Sequence, residues 1–157
     1  MGSAIATIVN SPREPGRTSG DTIPIIDKRT WSWSCELMAR LARVVAPGFP
    51  HHITQRGNRR QQTFFCDEDY QRYVELMAEW CNALEVEILA YCLMPTHVHL
   101  IAVPQSADGL GRAIGEAHRR YTRMINFRER WRGHLWQGRF ASFVLDEPYL
   151  LTAARYV

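Results

Sequence analysis

The stretch Cys92-Leu-Met-Pro-Thr-His97-Val-His99-Leu-Ile-Ala-Val103 decides how this chain is to be read. Pro95-Thr96 allows a tight connection between an apolar run ending at Met94 and a second one starting at His97. Strand side chains repeat their direction every two residues. His97 and His99 therefore share one face, while Val98 and Leu100 can enter a core. Two neutral imidazoles pointing the same way are a natural pair of ligands for a divalent metal, though not a complete site. The same pair also fits two polar residues on the wet face of a half-buried strand.

Working outward from this hairpin, the spacing predicts a strand over Val86 to Met94 and a histidine strand over His97 to Val103. Upstream, residues 67–84 carry Tyr73, Val74, Met77, Trp80, Cys81 and Leu84 at three- and four-residue intervals, an amphipathic helix with Asp67 or Asp69 as N-cap. His51 to Arg56 alternates as a first strand, and Gly57-Asn58 ends it with a turn signal. Downstream, a second helix runs from about Leu110 to Phe127, and Phe140 to Leu145 makes a fourth strand. Pro148 then opens a final helix through Tyr149, Leu150, Ala153 and Tyr156. The order β-α-β-β-α-β plus a terminal helix implies an α+β, ferredoxin-like split βαβ fold with a four-stranded antiparallel sheet. Helices cover one face of such a sheet and leave the other open for His97, His99 and a substrate strand. Two consecutive central strands joined by a short turn also keep the histidine strand away from a remote edge.

Composition bounds the class. With 157 residues, 46% of them hydrophobic and 22% charged, the chain is long enough for one core. It has no uninterrupted apolar run of the roughly 18 residues that would span a bilayer, so no membrane partner is expected. The net charge is +3, and Lys28 is the only lysine among 19 basic residues. Arginine's fixed fork of donors suits phosphates and guanine edges, although a genomic bias against lysine would give the same count. Cys35, Cys66, Cys81 and Cys92 show no paired metal-ligand spacing, and nothing at the N-terminus reads as a signal peptide. Reduced, packing thiols in a cytoplasmic protein are expected.

Ser11-Pro-Arg-Glu-Pro-Gly-Arg-Thr-Ser-Gly20 is rich in helix breakers and small polar residues, whereas Met38-Ala-Arg-Leu-Ala-Arg-Val-Val45 looks like a natural beginning. Residues 1–37 are accordingly expected to be a disordered tail or an extension upstream of the true start. Arg40 and Arg43 then stand near a phosphate backbone or serve only as solvated charges. Near the other end, Arg128, Arg130, Arg132 and Arg139 interleave with Trp131, Trp136 and Phe140, the mixture that holds phosphates and stacks bases. We read this loop as having mixed duty, with Trp136 buried and most of the arginines on DNA. His118 and His134 read as local hydrogen-bonding residues.

Four blocks resemble one family. They are Val45-Ala-Pro-Gly-Phe-Pro-His-His-Ile-Thr-Gln-Arg-Gly-Asn-Arg59, Leu93-Met-Pro-Thr-His-Val-His-Leu-Ile101, Arg120-Tyr-Thr-Arg-Met-Ile-Asn126 and Gly133-His-Leu-Trp-Gln-Gly-Arg-Phe140. In this order they are similar to the IS200-like transposases, and more narrowly to the REP-associated tyrosine transposases of the HUH endonuclease superfamily. The resemblance spans residues 38–157 and implies a transposase domain there. It implies single-stranded DNA, with hairpin structure, as partner and Mg²⁺ or Mn²⁺ as cofactor. His97 and His99 are then metal ligands, and Arg56, Arg59, Arg60, Arg120, Arg123, Arg132 and Arg139 are candidate DNA contacts. Whether the protein acts as a monomer or a homodimer stays open.

The resemblance further implies that a helix-borne tyrosine attacks the phosphorus and leaves a 5′-phosphotyrosyl link. Tyr156, in Tyr149-Leu-Leu-Thr-Ala-Ala-Arg-Tyr156, corresponds to that nucleophile. Tyr149 is the runner-up, and Tyr121 is expected to be structural or DNA-contacting. The family's third ligand follows the nucleophile by one helical turn, at position 160, whereas the sequence stops at Val157. A C-terminal helix cut short of that ligand is therefore expected. This keeps two alternatives in view: a catalytically inactive DNA-binding remnant and a metal-dependent hydrolytic phosphodiesterase. Deletion of residues 1–37 is expected to leave the thermal unfolding midpoint nearly unchanged, and a large drop in a melting curve would refute the reading of that segment.

Overall fold

A computed structural model describes residues 44–146. The elements are β1 (His51–Arg56), a 3₁₀ turn (Asn58–Arg60), α1 (Asp67–Ala83), β2 (Val86–Met94), β3 (His97–Pro104), α2 (Gly109–Arg128) and β4 (Ala141–Val144). All pairings are antiparallel and the sheet order is β2-β3-β1-β4. This is the ferredoxin-like arrangement expected from the order of elements. One expectation needs correction: β3 is central, but β2 is an edge strand, because its partner across β3 is β1 and nothing described pairs on its other side. The final helix expected after Pro148 lies outside the described residues.

The core forms where α1 and α2 pack on one sheet face. Ile53 from β1 and Val98 and Leu100 from β3 meet Tyr73, Leu76 and Met77 of α1 and Leu110, Ile114, Tyr121 and Ile125 of α2. Each helix contributes residues three or four apart, as a helix with one buried face must. Strand β2 does not alternate evenly. A register shift between Ile88 and Ala90 lets Val86 and Ile88 face the helices, and then Tyr91 and Leu93 after it. The extra residue of a bulge reverses which parity points inward. Ala90 and Cys92 consequently share the opposite face with Ile101 and His99, their partners on β3.

The α1 N-terminus departs from expectation. Neither Asp67 nor Asp69 caps it, since Cys66 occupies the N-cap position and makes no side-chain capping bond. Asp69, buried in the first turn, reaches back to accept the Phe65 amide at 2.8 Å. It also accepts a two-pronged bond from Arg128 at the end of α2, with Nη2 to Oδ2 at 2.9 Å. Burial by itself would raise the Asp69 carboxyl, but the Arg128 guanidinium and the Phe65 amide hold it below the usual carboxylate range. Arg128 is thereby committed to joining α1 to α2, not to the DNA-facing duty read from the loop composition.

A depressed folded-state pKa contributes stability above the unfolded value, and that contribution is lost as pH falls through the folded one. Arg128→Met should therefore cost about 2–3 kcal/mol at pH 7, under the cost of breaking a fully buried pair because Arg128 is partly exposed. Denaturant titrations across pH should show the gap between variant and wild type narrowing below about pH 4. A gap that does not change with pH would exclude the ion pair as its source.

Candidate active site on the open sheet face

The β1–β3 register sets Arg56 opposite His97, Thr54 opposite His99, and His52 opposite Ile101. Residues directly opposite in an antiparallel pair share a face. The side of the sheet away from the helices thus carries His52, Thr54 and Arg56 from β1 and His97 and His99 from β3. One end of this face is closed by a small apolar group, Ala90, Ile101 and Leu145, with Leu89 against it. The other end is a cleft of about 350 Å³ lined by Thr54, Arg56, His97, His99, Gln137, Arg139 and Ala141, among others.

The rings of His97 and His99 have centroids 5.2 Å apart. Each Nδ1 has a protein partner: Thr96 Oγ1 lies 3.0 Å from that of His97, and His52 Nε2 lies 3.0 Å from that of His99. The His52 and His99 rings lie nearly coplanar and edge to edge, with centroids 5.3 Å apart and planes 18° from parallel. Burial lowers the pKa of all three imidazoles, and the nearby Arg56 charge lowers His97 and His99 further. Neutral rings are the form that binds a metal. As a pair of nitrogen donors with Nδ1 engaged, His97 and His99 fit a divalent ion through Nε2. Among the described residues, no group of three or more His, Cys, Asp or Glu is placed to hold a metal.

Gly57 explains how the distant loop reaches this face. A Cβ there would stand 2.2 Å from the Gln61 carbonyl oxygen and 2.9 Å from the Thr63 methyl, so the chain can turn here only with glycine. The turn is locked by the Gly57 amide donating to Thr96 at 2.8 Å. Beside it, the Asn58 amide donates to Leu135 at 2.7 Å and the Gln137 amide to Arg56 at 2.9 Å. Trp136 is buried against His118, with ring centroids 4.6 Å apart, which anchors the loop as expected. Gln137 and Arg139 are left beside Arg56.

The other candidate residues divide by location. Arg59 and Arg60 follow β1 in a turn where both have positive φ, and exposed Arg132 follows α2. Arg120 and Arg123 sit on α2, across the sheet from the histidines. Arg120 lies 3.8 Å from Glu79 and 4.6 Å from the Trp80 ring centroid. Tyr121 is fully buried and its hydroxyl donates to the Thr63 carbonyl at 2.8 Å, a structural role. His118 hydrogen-bonds the Tyr73 hydroxyl, and burial brings its pKa down to about 3. Cys81 and Cys92 are buried, and burial raises both thiols, Cys81 to about 12, whereas Cys66 is exposed. Tyr149, Tyr156, Arg40, Arg43 and Cys35 lie outside the described residues. A larger cleft, about 590 Å³, runs between α1 and β2 past Val74, Met77 and Tyr91. It is mostly apolar and none of the open-face histidines line it.

His52 and Thr96 were not singled out by sequence reasoning. The parity of His52 with Thr54 and Arg56 was legible, but its place beside His99 depends on register.

Residues 48–157 match the family described as "Transposase IS200 like". The chain belongs to the IS200-like transposases. These are tyrosine transposases of the HUH superfamily. No curated protein sequence matches. Among solved structures, a REP-associated tyrosine transposase bound to a REP hairpin is similar with a TM-score of 0.63 and 21% identity, covering 76% of this chain and 70% of that one. A protein of Deinococcus radiodurans assigned as a transposase is similar with a TM-score of 0.53 and 20% identity, covering 74% and 94%. At these identities the likenesses bear on the fold, which agrees with the IS200-like assignment. No helix among the described residues is long and apolar enough to cross a membrane.

If the cleft takes a DNA strand, Arg56→Ala and Arg139→Ala should each weaken oligonucleotide binding. Each should also lower the slope of log K against log salt by about one, as expected for a lost phosphate contact. Fluorescence anisotropy over a salt series measures both, and an unchanged slope would remove these arginines from the interface.

Proposed function

We propose that this chain cuts and rejoins single-stranded DNA through a tyrosine nucleophile and a 5′-phosphotyrosine intermediate, moving hairpin-bearing repeats as a member of the REP-associated subgroup. The observation that carries this reading is the pairing of His97 with His99, ring centroids 5.2 Å apart, in a cleft also lined by Arg56 and Arg139. The four sequence blocks and the fold shared with a transposase bound to a REP hairpin support the subgroup and the hairpin substrate. Residues 38–157 form the transposase domain in this reading.

A phosphodiester is anionic and repels a nucleophile, so the site must first offset charge. Arg56 and Arg139 bind the strand's phosphates and hold it along the face. His97 and His99 would hold Mg²⁺ or Mn²⁺, which when bound would supply charge neutralisation on the phosphate and orientation for the attack. Thr96 and His52 keep the two imidazoles in place. The Tyr156 hydroxyl gives up its proton and its oxygen bonds to phosphorus as the bond to the 3′ oxygen breaks; the 3′ oxygen takes up one proton in return and leaves as a 3′-hydroxyl. With an ordinary pKa near 10, phenolate is also a tolerable leaving group, so the 3′-hydroxyl can reverse the step and reseal a strand. Reversibility suits a transposase and is of no use to a scavenging nuclease.

Incubation with end-labelled hairpin oligonucleotide and Mn²⁺ should give a protein-linked 5′ end on a denaturing gel. Tyr156→Phe should remove the adduct with little effect on stability, since it deletes one hydroxyl. His97→Ala and His99→Ala should abolish cleavage while sparing most DNA binding. Free DNA ends without an adduct would indicate that water attacks, and an adduct persisting in Tyr156→Phe would transfer the role to Tyr149.

A further inference from the structure

His52 sits where it can decide which nitrogen of His99 carries the proton. Its Nε2 is 3.0 Å from His99 Nδ1. One nitrogen must donate and the other accept, so two arrangements exist. If His52 Nε2–H donates, His99 carries its proton on Nε2 and cannot ligate through that atom. If His99 Nδ1–H donates, its Nε2 keeps a lone pair and can bind a metal. Only the second is compatible with His99 as an Nε2 ligand.

We propose that His52 is a positioning residue whose Nε2 accepts the His99 Nδ1–H, setting the tautomer and ring orientation that make His99 a metal ligand. The inference rests on the reading of His97 and His99 as a metal pair. Three observations bear on it. His52 lies one step along the sheet from the ligand row, two residues before Thr54, the direct partner of His99. With centroids 5.3 Å apart, planes 18° from parallel and the two nitrogens 3.0 Å apart, the rings lie nearly coplanar and edge to edge, so the hydrogen bond runs close to both ring planes, along a nitrogen lone pair. The neighbouring His51 is excluded from this role by the strand alternation. It points into the opposite face, where its Nδ1 donates to the Phe49 carbonyl at 2.8 Å and its Nε2 accepts the Ala46 amide at 3.1 Å. Adjacent histidines of β1 thus hold opposite faces, one fixing the strand's entry and the other a ligand.

Two replacements separate the contributions of His52. His52→Phe keeps a planar ring in the same place and removes the acceptor, whereas His52→Gln removes the ring and keeps a carbonyl acceptor. Mn²⁺ titrations of the full chain, followed by electron paramagnetic resonance without DNA, should show affinity falling about 10- to 100-fold in His52→Phe, the range for losing a ligand's hydrogen-bond partner. His52→Gln should stay close to wild type. Pulsed measurements should count the same number of coordinated imidazole nitrogens in His52→Gln as in wild type. Wild-type affinity in the Phe variant, or an equal loss in both, overturns the proposal; one coordinated nitrogen fewer in the Gln variant makes His52 a ligand and overturns it too. Nitrogen-15 spectra of the unmutated, Mg²⁺-loaded protein give a check that does not depend on a variant folding. His52 should be protonated on Nδ1, and protonation on Nε2 refutes the assignment. A His99→Ala protein that binds Mn²⁺ as tightly as wild type would instead refute the metal pair itself, an outcome distinct from failure of the His52 variants alone.

Discussion

In the centre of the sheet, the antiparallel pairing of β1 with β3 places Arg56 against His97 and Thr54 against His99, and the open face takes its composition from that register. The period of a strand is two, so a slip of one residue would turn His97 and His99 into the layer now filled by Val98 and Leu100. Burial of Ile53, Val98 and Leu100 against α1 and α2 makes such a slip costly. The hydrophobic core and the polar site are two faces of one constraint.

The constraint extends beyond the two central strands. Gly57 ends β1 in a turn too tight for any side chain, and that turn leaves backbone groups that the loop at Leu135 to Gln137 completes. Trp136 then seats among His118, Tyr73 and Phe64 on the helix side, while Gln137 and Arg139 emerge by the histidines. A single segment therefore crosses from core to site. On β2, the bulge between Ile88 and Ala90 lets one strand feed the core with both Val86 and Leu93 and still set Ala90 against Ile101 on the open face. The Asp69–Arg128 pair ties the start of α1 to the end of α2, while Arg56 and Arg139 line the cleft.

Much of the fold was legible because its signals are local. Strand β1 begins and ends where its alternation and the Gly57-Asn58 turn signal indicate, β2 spans the expected Val86–Met94, and α1 and α2 agree to within a residue at either end. Three features were not. The N-cap of α1 was misread because Asp69 is drawn to Arg128, a partner far away in sequence. The edge position of β2 follows from which strand β3 pairs with, and periodicity carries no information about that choice. The composition of the arginine-rich loop reads as mixed duty with most of its arginines on DNA, but it cannot show that Arg128 is the one held in a helix joint, because its partner Asp69 is 59 residues away in sequence.

What the sequence determined by itself was the order of elements and the shared direction of His97 and His99, since both depend only on the turn chemistry and the two-residue period of one strand. Four motif blocks in order were also enough to suggest the IS200-like family. What the tertiary structure alone decided was the company those histidines keep. His52 reaches His99 from 47 residues away, and Arg139 and Gln137 arrive through a loop held by Gly57. Such neighbours depend on register and on long-range packing. A one-dimensional pattern can show that His52 faces the same way as Thr54, but only the pairing of β1 with β3 brings its Nε2 to the Nδ1 of His99.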